Sequence, residues 1–167
     1  MDPRYITPFI ASIKNVFSTM MQLEVRVEEP TLKELHTAKY DASAIIGLSG
    51  EVVGSVILSL PGDTAERVAG LFTGTEMSLQ HPDFPDAIGE LVNMIAGGAK
   101  AQFPLKSVSI STPSVILGEH HSVLKQKEVQ SIVIPCTTDC GALAIEVAVK
   151  AVEKQAGAPA AARKASV

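Results

Sequence analysis

Residues 83–103 constrain the fold more than any other stretch, because they read as one long helix able to bury only a single face. At 100° per residue, Ile88, Leu91, Val92, Ile95 and Ala99 fall on one stripe, and Asp86, Glu90, Asn93 and Gly97 fall on the opposite side. Such a stripe can bury against a sheet. Asp83 stands where a side chain can cap the first N–H groups, Pro85 fits the first turn, Asp86 faces the positive end of the dipole, and Pro104 stops the helix. Gly97 and Gly98 each cost about 1 kcal/mol relative to alanine inside a helix, so close approach has to justify them. What approaches is either another element of the fold or a partner arriving over the exposed face.

At 167 residues the chain suits one domain, expected over residues 1–151. Residues 152–167 alternate Ala, Gly, Pro and Lys and are expected to form a disordered tail. Hydrophobic content is 46%, yet no run approaches a membrane span and the amino end lacks the layout of a signal peptide, so a cytoplasmic protein without membrane attachment is expected. Residues 1–151 carry 11 basic and 17 acidic side chains, and only 4% of all residues are aromatic, none of them Trp. An acidic body without stacking residues argues against nucleic acid as a partner.

The remaining elements follow from periodicity. Pro8–Met21 reads as a second amphipathic helix, with Ile10, Ile13, Phe17 and Met21 inward and Ser12, Asn15 and Thr19 outward. Leu23–Glu28 alternates as a strand, and residues 31–40 suit a short edge strand. Strands over 42–48 and 52–60 join through Ser49-Gly50-Glu51 as a hairpin, and a helix over 64–73 ends at Gly74. Residues 107–117 read as a long strand in which Pro113 implies an edge or a bulge, followed by a polar connection over 118–130. Strands over 129–136 and 142–149 flank a turn at Thr137–Gly141. Aligning the two main helices superimposes their apolar stripes and sets Asn15 under Asn93 and Ser12 under Glu90, which predicts an α+β fold of two related helix-plus-sheet halves.

Glu90 has no acid or base partner within helical reach, since His81 lies in the preceding loop and Asp86 shares its sign. The HExxH, GxSxG, P-loop and GxGxxG patterns are absent. A glutamate and an asparagine at i and i+3 can instead act in trans. The carboxylate docks on a partner's cation, and the amide holds a water in line with an electrophile supplied by that partner. Phosphoryl hydrolysis suits this division, because positioning matters there more than a strong base.

The run from Asp86 to Lys100 resembles the ExxN helix of the CheC, CheX and FliY family of chemotaxis phosphatases. Tyr5–Ile10, Ser111–Gly118 and Gly141–Lys150 are also similar to segments of CheX-type domains, and the resemblance spans about residues 4–150. It implies a CheC/CheX-like fold with pseudo-symmetric halves and a phosphatase acting on the aspartyl phosphate of CheY or a CheY-like receiver domain. Glu90 would dock on a receiver lysine and Asn93 would orient the attacking water. The chain would bind no cofactor, Mg²⁺ being expected on the receiver. CheX-type members carry one motif per chain, in keeping with Ser12 in the first helix, and the likeness implies a homodimer formed through the sheets. The alternative of another class is a receiver-binding or flagellar-switch scaffold that leaves the phosphate intact.

Asp86, Gly97 and Lys100 are candidate partner-facing residues, against plainer roles in capping, packing and solvation. Cys136 and Cys140 beside His120-His121 lack standard zinc-ligand spacing, and read as one buried cysteine, one turn cysteine and two loop histidines.

Overall fold

The structure, a computed structural model, describes residues 3–32, 40–105, 107–123 and 130–152. The expected tail beyond Val152 and most of the expected edge strand over 31–40 lie outside the described residues.

One 3₁₀ turn, Pro3–Tyr5, leads into α1 (Thr7–Met21), whose Phe9, Ile13 and Phe17 are fully buried. Two short strands follow, β1 (Arg26–Val27) and β2 (Thr31–Leu32). The alternation over 23–28 is present in the burial, with Leu23 and Val25 in and Glu24 and Arg26 out, but only two residues of it join a ladder. The expected hairpin is β3 (Tyr40–Gly50) and β4 (Val52–Leu60). Gly50 turns it at φ +101°, where a Cβ would overlap the Ser107 carbonyl. Then come α2 (Gly62–Thr73), closed by left-handed Gly74, and α3 (Phe84–Ala101).

The long strand expected over 107–117 is two strands, β5 (Val108–Ile110) and β6 (Ser114–His121), both paired with β3 at the sheet edge. The register advances by one residue between them, a bulge at the proline that has no N–H to give to the ladder. β6 runs on through His121, so the polar connection expected from Gly118 begins later, and residues 124–129 of it lie outside the described residues. The last hairpin is β7 (Ile132–Thr138) and β8 (Gly141–Ala151).

All strands form one antiparallel sheet in the order β1-β7-β8-β4-β3-β5, with β2 also on β7 and β6 also on β3. The order reads the same from either end once the chain is split before α3. Each half supplies a helix and a hairpin, the hairpins meet at β4 and β8, and each half's first strands cross to close the other half's hairpin. α1 and α3 pack on each other and on the sheet, and one core joins Phe9, Phe17, Ile46, Leu58, Ile88, Leu91 and Ile145. The fold is therefore α+β with two pseudo-symmetric halves. Among the described residues no helix is long and apolar enough to cross a membrane.

Candidate functional site

α3 buries Ile88, Leu91, Val92, Ile95 and Ala99 completely, which fixes what its other side presents. Asp86, Glu90, Asn93, Gly97 and Lys100 follow one another at spacings of four, three, four and three, a straight outward stripe about 21 Å long. Asp86 and Glu90 are exposed, and Asn93, Gly97 and Lys100 are half-buried. Asn93 Nδ2 donates to Glu90 Oε2 at 3.3 Å. That bond uses the amide's donor end and leaves Oδ1 as an acceptor for water. Lys100, in the last turn, complements the negative end of the dipole.

Asp83 does not cap the helix. Its φ and ψ of −89° and −1° are helical, so its side chain does not swing over the first turn, and its own N–H donates to His81 Nδ1 at 3.2 Å. The helix begins instead on a backbone turn, Phe84 N–H to His81 O, with the Phe84 ring fully buried beneath it.

The two glycines part company. A Cβ on Gly97 would meet nothing within 4 Å, whereas one on Gly98 would overlap Ser12 Oγ. Ser12 is the matching correction in α1. It does not face outward but is 2% exposed and donates to the Ile95 carbonyl at 2.7 Å. α1 buries a second face against α3, and Ser12 lies on it.

Sequence reasoning missed the neighbouring wall. Pro113 and Val115, at the bulge and the start of β6, stand across a groove from Pro85, Asp86 and Glu90, with Gly89 between. Pro113 signalled an interrupted strand, but nothing in the sequence said which helix the interruption would face.

The other chemistry-bearing residues lie elsewhere. Cys136 is in β7 and Cys140 in the β7–β8 turn, both buried, and burial pushes the Cys136 thiol up to about 11 and raises that of Cys140. Three strands separate β7 from β6, so the cysteines and His120-His121 are not one cluster. The histidines end a strand rather than occupy a loop. His121 bonds the Gly118 carbonyl through Nδ1 and Ser43 Oγ through Nε2, each at 2.8 Å. The His120 N–H and the Gly62 N–H at the head of α2 both donate to Asp41, at 3.0 and 2.7 Å, and hold its carboxyl below the usual carboxylate range.

The family model described as chemotaxis phosphatase CheX matches residues 42–137. The CheY-P phosphatase CheX of Thermotoga maritima is 29% identical over 121 residues, which are 71% of this chain and 78% of that protein. A CheC-like superfamily protein from Shewanella sp. PV-4 superposes with a TM-score of 0.82 at 30% identity, covering 90% of this chain and 99% of that one. A CheX from Borrelia burgdorferi, solved in complex with CheY, BeF3 and Mg, superposes with a TM-score of 0.74 at 25% identity over 87% of this chain and 97% of that one.

Proposed function

The chain belongs to the CheX family of chemotaxis phosphatases, and from that premise we propose that it hydrolyses the aspartyl phosphate of a CheY-like receiver domain. The observation that carries the reading is the outward pair on α3, with Asn93 bonded to Glu90 on an open helix face and Gly97 leaving clear space above it. Half an active site of this kind is complete only against a partner. The receiver brings the phosphoaspartate, a lysine and its Mg²⁺, which supplies charge neutralisation on the phosphoryl oxygens. Glu90 docks on the lysine. Asn93, its Nδ2 held by Glu90, turns Oδ1 toward the phosphoryl group and accepts from the water that attacks in line. Water adds to phosphorus, the bond to the carboxylate oxygen breaks, the aspartate leaves as a carboxylate and both water protons stay on the inorganic phosphate, so the chain needs no general acid of its own. The same reading carries a homodimer formed through the sheets, which sedimentation in solution checks.

Following phosphate loss from a purified phosphorylated receiver tests the proposal. Wild type is expected to shorten the phosphate lifetime and Asn93→Ala to restore it. If wild type binds the receiver yet leaves the lifetime unchanged, the scaffold reading replaces this one.

A further inference from the structure

A second cavity, of about 950 Å³, lies between α2, the loop that follows it and the β7–β8 turn, and shares no lining residue with the groove at Asp86. That is room for a small molecule. Its apolar lining combines Met77 and Cys140, both buried, with Leu71, which is 48% exposed. Burial raises the Cys140 thiol, so it stands there uncharged. Gly70 keeps the helix side open. It weakens the interior of α2, yet it has no left-handed φ, and a Cβ there would stand 3.5 Å from the Thr75 carbonyl oxygen, an ordinary contact, so neither backbone nor packing requires a glycine.

The polar lining carries both signs of charge. Arg67 and Glu76 are exposed at the cavity, and neither has an ion pair among the described residues. Glu66 is spent on the scaffold, its Oε1 accepting from the Leu79 N–H at 2.9 Å and so tying the loop to the helix before any ligand arrives. His81 accepts from the Asp83 N–H through Nδ1, which leaves its ring proton on Nε2 as a neutral donor.

We infer that this cavity binds a small zwitterion with an apolar body, the chemistry shared by free apolar amino acids and their dipeptides, its carboxylate on Arg67, its ammonium on Glu76 and its apolar part over Leu71 and Met77. The guanidinium offers a carboxylate two parallel N–H donors, and a compact ammonium suits a single carboxylate. The other classes fit worse. A simple anion meets Glu66 and Glu76, a simple cation meets Arg67, and a neutral apolar ligand covers both signs of charge without pairing either.

Isothermal titration calorimetry of the full chain tests the assignment with leucine, leucyl-leucine, 4-methylpentanoate and 3-methylbutylamine, the last two being leucine without its ammonium and without its carboxylate. The better of the two zwitterions binds about tenfold or more tightly than either half-molecule, and which of them is better tells amino acid from dipeptide. Arg67→Gln weakens the zwitterion and 4-methylpentanoate by about fivefold to tenfold and does not weaken 3-methylbutylamine. Glu76→Gln weakens the zwitterion and the amine and spares the acid. Both are exposed positions, so these variants keep the fold. Gly70→Leu fills the cavity from the helix side and abolishes binding of all four. If neither zwitterion outbinds its half-molecules, or if both charge variants leave zwitterion affinity within about twofold, the assignment is overturned. Phosphate release enters none of these measurements, so the cavity and the phosphatase reading stand or fall separately.

Discussion

α1 and α3 are the same element used twice, each laid on the sheet by an apolar stripe and each bearing an asparagine at the corresponding place, Asn15 and Asn93. They differ three residues earlier. In α3 that position is Glu90, exposed and bonded to Asn93, while in α1 it is Ser12, buried and bonded to the other helix. The two helices touch along a seam where one side contributes Ser12 and the other has only Gly98 to make room. A small hydroxyl at one position thus accompanies a packing face in place of an outward one, and of the two related helices α3 alone presents a carboxylate–amide pair outward.

Exchanging the two residues should separate the two helices most clearly. Ser12→Glu forces a carboxylate into the seam without a cation and should cost about 3–5 kcal/mol in urea denaturation. The mirror change, Glu90→Ser, should stay within about 0.5 kcal/mol because it alters an exposed position. Next in size, Asn93→Ala should slow phosphate release from the receiver by about 100-fold, equivalent to about 2.7 kcal/mol of lost positioning. Asn15→Ala should leave that rate unchanged, and a matching loss would mean that α1 also reaches the receiver. The adjacent glycines give a finer contrast. Gly98→Ala should destabilise by about 1–3 kcal/mol through overpacking against Ser12, with part recovered in the double variant with Ser12→Ala. Gly97→Ala should stabilise by up to about 1 kcal/mol, since nothing opposes the added methyl.

The smallest effect concerns α2, which has no counterpart under the symmetry among the described residues and is tied at its head to Asp41. The folded Asp41 carboxyl titrates below the ordinary carboxylate value, so the unfolded chain takes up its proton first. Its contribution is whole above that ordinary value and fades as pH falls through it toward the folded one. Asp41→Asn should flatten that part of an acid titration of stability and leave neutral pH as the plateau.

Much of this was legible. The period of 3.6 placed α1 and α3, and alternation between Gly or Pro punctuation placed both hairpins, because one buried face per element leaves a clean pattern. The outward positions of Glu90, Asn93 and Gly97 followed from the same wheel. Ser12 was misjudged because a wheel assumes one buried face, and α1 has two. Asp83 has the right residue type for a cap but the wrong backbone, which composition does not encode. The wall opposite Glu90 was unreadable for another reason. Pro113 announces a break in its own strand, whereas the helix that the break faces is set by sheet order.

The crossing of the outer strands bears on how the molecule is made. The first hairpin is covered at β3 only when β5 and β6 arrive and at β4 only when β8 does, and β1 and β2 wait for β7, so no strand before α2 gains a partner outside its own hairpin until synthesis has passed α3. Pairings that reach so far along the chain are slow to form and leave strand edges open meanwhile. A cut between α2 and α3 would give two pieces, each with a hairpin whose outer edge only the other piece can cover. Neither half is a domain in waiting, because each leaves an outer strand edge that only the other half covers.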